Sequence, residues 1–193
     1  MFWLLSTLAL LLYLVAMVVV MARPGRRNNL YMVMALSQAG NLMFLAVLSA
    51  PAIGWSEGFM RWEHDARTLF DLLTAGALVH VTNLHPRPLP FALRRAALAW
   101  ALLAAVFAVA VGAREPSSWW WTQGALIAAS LVAVGQLLWM QKREPHPLAV
   151  QLQRFGLLAI GGLLLLTISV AGLGPEIDPR GQAPVIGSTM WVV

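Results

Sequence analysis

The sequence contains no cysteine, a single lysine and little charge of either sign. Only 11% of its 193 residues are charged, about half the fraction usual in a soluble domain. The absence of cysteine excludes disulfide bonds, thiolate metal sites and cysteine nucleophiles. The 13 basic residues outnumber the 8 acidic ones, but they stand in short clusters between long apolar blocks. That placement orients a membrane protein and argues against nucleic-acid binding.

The apolar residues occur in blocks of about 20, the length that one helical membrane crossing requires. Hydrophobic residues make up 60% of the chain, and the mean hydropathy is +0.73. No basic segment precedes the first block, which is therefore predicted to be a retained helix rather than a signal peptide. We predict an all-α, polytopic transmembrane helix bundle that forms a single domain over residues 1–193. Its six complete helices and the start of a seventh cover about residues 2–21, 30–50, 68–83, 96–111, 120–140, 155–173 and 185–193.

The charges between the blocks predict the orientation of the bundle. The first, third and fifth loops carry one acid, Glu144, and the basic residues Arg23, Arg26, Arg27, Arg87, Arg94, Arg95, Lys142, Arg143 and Arg154. The second, fourth and sixth loops hold the other four basic residues together with six acids. By the positive-inside rule, the first set of loops is cytoplasmic and the N-terminus lies outside.

Four polar side chains inside the predicted helices are the candidate ligand or signal residues: Gln38, Asn41, Asp71 and His80. Ionisable groups within membrane spans are costly and are functional candidates by default. If the third helix starts at Thr68, Asp71 is either a proton-sensitive or ligand-binding group inside the bundle or an interfacial acid. The interfacial interpretation relies on the dipole of a nearby helix N-terminus. Gln38 and Asn41, three residues apart on one face, form either a site or interhelical hydrogen bonds.

No metal, cofactor or catalytic site is predicted. His80 and His85 are five residues apart and so point about 140° away from each other on a helix. A b-type haem needs two histidines deep in facing helices, and the predicted helices do not provide them. A retinal protein needs a lysine in its last helix, whereas Lys142 lies in a loop. No span carries the paired acids or histidine cluster that membrane enzymes use, and internal repeats typical of transporters are not visible. We therefore expect a protein that is not an enzyme.

The exit of the third predicted helix reads Ala77-Leu-Val-His-Val-Thr-Asn-Leu-His-Pro-Arg-Pro88. This segment resembles the L-V-H-F-x-L-x-F-P-R-P exit found in the N-terminal seven-helix membrane sensor modules of bacterial histidine kinases and related signalling enzymes. The matching residues are His80, Pro86, Arg87 and Pro88, and His85 stands where that family commonly has an aromatic residue. The external N-terminus, the Trp- and charge-rich second loop and the Pro-Val-Ile-Gly-Ser segment that starts at Pro184 are also similar.

The resemblance implies a multi-pass protein of the bacterial inner membrane that is a non-catalytic sensory or input module. It would pass a membrane or extracytoplasmic signal to a cytoplasmic output domain, a protein partner or a second copy of itself. In that family the seventh helix continues into a dimerisation helix and a catalytic domain, and no such domain is present up to Val193. The alternative is an accessory or structural subunit of a larger respiratory or photosynthetic membrane complex, which requires no binding site.

Overall fold

The computed structural model describes residues 1–22, 25–49, 56–84, 88–113 and 117–143, together with parts of 150–168. The helices are α1 (Phe2–Ala22), α2 (Arg26–Leu48), α3 (Glu57–Leu84), α4 (Ala92–Ala113) and α5 (Ser117–Arg143). The described parts of 150–168 are also helical, and no strand occurs among the described residues. The all-α prediction is thus confirmed. The helix predicted at 155–173 is described only in part, and the partial helix at 185–193 lies outside the described residues.

Four of the described helices, α1, α2, α4 and α5, are long and apolar enough to cross a membrane. Their bounds agree within a few residues with the predicted helices at 2–21, 30–50, 96–111 and 120–140. The apolar blocks located them well because a lipid-facing surface has to be apolar over the whole crossing. The pattern is that of a membrane protein.

Helix α3 differs from its prediction at the N-terminal end. It begins at Glu57, eleven residues before the predicted start at 68, and continues without interruption to Leu84. The residues before 68 are rich in charge, and a search for apolar blocks passes over them. The Ser56 hydroxyl accepts a hydrogen bond from the Phe59 backbone N–H at 3.3 Å, so Ser56 acts as the N-cap that starts the helix earlier.

The side chains are distributed as in a bundle that faces lipid. On α1, the large apolar side chains Trp3 and Val18 are 80% and 64% exposed, whereas Leu5, Ala9 and Ala16 are buried. Helix α1 packs along α2, and the small buried alanines allow the two backbones to approach closely. Across the described residues, buried polar side chains and exposed aliphatic ones occur together, the reverse of the arrangement in a soluble protein.

The chain divides into two compact units, Met1–Ala77 and Leu78–Val193, and α3 contributes residues to both. The first unit contains α1 and α2. In the second unit, α4 packs against α5. Buried residues of α5 recur every three or four positions, as expected for one inward face of a helix; they include Leu126, Ala129, Ala133 and Leu137. The single domain predicted over 1–193 stays a prediction.

Candidate functional site

Two pairs of polar side chains link α2 to α3 in the first unit, and we call them the polar cluster. Asn41 Nδ2 donates a hydrogen bond to Asp71 Oδ1 at 2.6 Å. Gln38 Nε2 donates to Thr74 Oγ1 at 3.0 Å, and that hydroxyl donates in turn to the Phe70 carbonyl oxygen at 2.9 Å. Since Gln38 and Asn41 pair with Thr74 and Asp71 in reversed order, α2 and α3 run antiparallel at the cluster.

The polar cluster lies largely out of contact with solvent. Asn41 is only 8% exposed, and its neighbour Ser37 is also buried. Gln38, Asp71 and Thr74 are half-buried. Asn41 Oδ1 is buried and has no hydrogen-bond partner among the residues that the structure describes. A buried polar atom without a partner costs about 1–3 kcal/mol, so this oxygen is a position where a ligand could gain binding energy.

Gly40, the residue next to Asn41, leaves room on α2 for the Phe70 ring of α3. A Cβ atom placed at Gly40 would lie 2.9 Å from Cδ2 and 3.0 Å from Cζ of the Phe70 ring. Phe70 also packs on Phe44, with the ring centroids 6.1 Å apart, and Phe44 meets Trp62 edge to face at 5.4 Å. The absence of a side chain at position 40 therefore lets the Phe70 ring lie against α2, one residue from Asp71.

Charged residues of α3 share a face with the polar cluster. Glu63, Arg67 and Asp71 follow one another at four-residue intervals, which places them along one side of the helix. Glu63 Oε1 lies 3.0 Å from Arg67 Nη1, and both side chains are mostly buried. Arg67 Nε is buried without a hydrogen-bond partner among the described residues. This face thus carries two carboxylates and one guanidinium.

The fourth candidate residue, His80, belongs to the second unit. Its Nδ1 accepts a hydrogen bond from Trp100 Nε1 of α4 at 3.3 Å. Nearby in sequence, Thr82 Oγ1 lies 2.6 Å from Gln136 Oε1 of α5. These bonds join α3 to α4 and α5, so His80 has a partner that accounts for its position without any ligand.

The structure brings together three of the four candidate residues, Gln38, Asn41 and Asp71. Whether Asp71 lies at the membrane interface stays a prediction. The helix N-terminus on which that interpretation relies is not beside Asp71, because α3 begins at Glu57, about 21 Å back along the helix axis. The dipole of that terminus acts only within the first turn. Sequence reasoning missed Thr74 and Arg67 as members of the site, although their spacing of three and four residues from Asp71 is the signal that identifies them.

The comparisons with known proteins give no relative: no family model, no curated protein and no solved structure matches the chain. The polar cluster and the charges between the helices are therefore the features of this chain that bear on its function.

Proposed function

We propose that the chain is a non-catalytic sensory or input module of a bacterial inner membrane, and that its signal acts at the polar cluster. The observation that carries this proposal is the 2.6 Å hydrogen bond between Asn41 and Asp71. It places an ionisable group between two helices of a protein whose outward surface is apolar. An acid in such a position is expensive to keep and therefore indicates a functional site.

The proposal requires α3 to cross the membrane, although it is not among the four apolar helices. Its 28 residues extend about 42 Å, more than the roughly 30 Å of the hydrocarbon core. If α3 did not cross, the residues before it and the start of α4 would lie on the same side. Arg94 and Arg95 would then be external, against the positive-inside rule. A crossing α3 places both arginines in the cytoplasm and the N-terminus outside.

The mechanism follows from the two hydrogen-bonded pairs. They hold α2 and α3 in one antiparallel register, and a ligand that competes for Asn41 or Asp71 changes the stability of that register. Helices shift as rigid bodies by small translations or rotations, so a change at Asp71 moves the end of α3 near Leu84. In the proposed orientation that end is cytoplasmic, where an output domain, a protein partner or a second copy would receive the signal.

In the test, the chromosomal gene that encodes the chain is replaced by variant genes in its own host organism. Four strains are compared: wild type, a deletion, Asp71→Asn in the polar cluster, and Asp65→Asn as a matched acid on the same helix. The transcript and phosphoprotein profiles are measured together with the abundance of large membrane complexes. We expect the deletion and Asp71→Asn to alter the same limited set of transcripts or phosphoproteins, and Asp65→Asn to match the wild type.

Two results would contradict the proposal in different ways. A deletion that lowers the amount of a large complex co-purifying with the chain, with no regulated set, would instead favour an accessory subunit. A regulated set that responds to the deletion but not to alanine at Gln38, Asn41 and Asp71 together would remove the polar cluster from the signalling mechanism.

A further inference from the structure

Among the described residues of the first unit, Arg67 is the positive charge that acts on Asp71, and Asp71 does not have it to itself. Arg67, one turn away, is paired with Glu63 at 3.0 Å. Helix α1 and residues 32–48 of α2, the elements on the other side of the cluster, contain no charged side chain. The remaining ionisable groups of the described part of α3 before Asp71 lie six or more residues away, as with Asp65. Two carboxylates thus share one guanidinium, and a carboxylate in apolar surroundings whose charge is only partly compensated is disfavoured.

The oxygen atoms around this charge match the preference of a hard cation. The Asn41 amide turns its nitrogen to Asp71, and its buried oxygen lacks a partner among the described residues. Gln38 likewise uses its nitrogen for Thr74, which leaves its amide oxygen as a further acceptor. Hard cations bind carboxylate and amide oxygens. Among the described residues no three His, Asp or Glu side chains come together, so the set suits a single positive charge.

From the charge and the oxygen set together, we propose that Asn41 and Asp71 form a binding site for a monovalent alkali cation, Na⁺. The bound ion neutralises Asp71 and fills the open position at Asn41 Oδ1, and it thereby strengthens the link between α2 and α3. The idea that the local Na⁺ concentration is the signal rests on the proposed function. The binding of Na⁺ itself is measured separately.

The experiment uses the full 193-residue chain, purified and placed in lipid nanodiscs. Binding of ²²Na⁺ is measured directly, and thermal unfolding is followed by tryptophan fluorescence in NaCl and in choline chloride at equal ionic strength and fixed pH. We expect saturable binding of one Na⁺ per chain and an unfolding midpoint that rises with Na⁺ but not with choline, since a ligand of the folded state stabilises it.

Two variants and one control assign the binding to the site. Loss of even a supporting group at an ion site typically costs about 10–100-fold in affinity. We therefore expect Asp71→Asn and Asn41→Leu each to weaken Na⁺ binding by at least about tenfold, and Asp65→Asn to bind as the wild type does. If Asp71→Asn does not accumulate in the membrane, the direct measurement on the wild type and on Asn41→Leu decides.

The assignment is overturned if the wild type binds no Na⁺, or if Asp71→Asn binds it with unchanged affinity. It is also overturned if the unfolding midpoint follows pH but not Na⁺, because the compensating charge is then a proton. These failures differ from failure of the proposed function. An intact regulatory response without Na⁺ binding overturns only the ion, and Na⁺ binding without a regulatory response supports the site and overturns its role in signalling.

Discussion

The Thr82 hydroxyl has three acceptors within reach and a single proton to donate. Gln136 Oε1 is at 2.6 Å, while the Val79 and Leu78 carbonyl oxygens are at 3.0 Å and 3.1 Å. The shortest contact is the one that joins α3 to α5. The other two serve only α3 itself, and a threonine can form such bonds within any helix.

We predict that Thr82→Val weakens the packing of α3 on α5. Valine has nearly the same shape, so the main loss is one interhelical hydrogen bond, worth about 0.6 kcal/mol on average and at most about 1.7 kcal/mol inside a membrane. The free energy of unfolding in mixed micelles provides the measurement. The control is Thr7→Val, because the exposed Thr7 hydroxyl donates to the Trp3 carbonyl oxygen of its own helix at 2.8 Å. Equal losses at the two positions would show that the bond to Gln136 contributes nothing.

The contact between Gly40 of α2 and the Phe70 ring of α3 can be tested by adding a side chain at position 40. Gly40→Leu should separate the two helices, because the new side chain would occupy the space of the Phe70 ring. Overpacking of this kind typically costs about 1–3 kcal/mol. Crosslinking between cysteines introduced at Asn41 and Asp71 measures the separation, and we expect slower crosslinking in the Gly40→Leu background than in its absence.

The matched control for this substitution is Gly135→Leu on α5. A Cβ at Gly135 meets no atom within 4 Å among the described residues, and the position is exposed. The same added side chain should therefore leave both stability and crosslinking unchanged. If both leucines behave alike, helix propensity or expression explains the effect, and Gly40 does not set the distance between α2 and α3.

The sequence predicts the apolar elements better than the polar one. Helices α1, α2, α4 and α5 follow from runs of apolar residues because each is apolar over the length that a membrane crossing requires. The start of α3 does not follow from such a run, because the N-terminal half of this helix is stabilised by local bonds such as the Ser56 cap and the Glu63–Arg67 pair. Such bonds leave no mark in a hydropathy profile.

The site was predictable as a set of residues but not as a set of contacts. Gln38, Asn41 and Asp71 stand out because they are polar within helices. Their pairing depends on the register between α2 and α3, which is fixed by contacts such as Phe70 against Gly40. That register is a property of two segments about 30 residues apart, and no local pattern encodes it.

At the scale of the whole molecule, the orientation of the chain is the property that most of the proposal depends on. We predict that a reporter inserted within residues 57–65 is external and that one within 87–95 is cytoplasmic, with α3 crossing between them. Alkaline phosphatase and green fluorescent protein fusions measure this directly, and a fusion after Lys142 should be cytoplasmic as well. If the reporters within 57–65 and 87–95 lie on the same side of the membrane, α3 does not cross it. If their locations are reversed, the orientation of the bundle is the opposite of the predicted one.

The polarity of α3 has a consequence for biogenesis. A central Asp or Arg opposes insertion of an isolated helix by about 2.5–3.5 kcal/mol, and α3 carries both Arg67 and Asp71. Asn41 and Gln38 of α2 provide partners for this segment. A crossing α3 should therefore leave the translocon as a hairpin with α2 rather than as an independent segment. We then expect α2 to assist the insertion of α3, and the hydrogen bonds of the polar cluster to form already during synthesis.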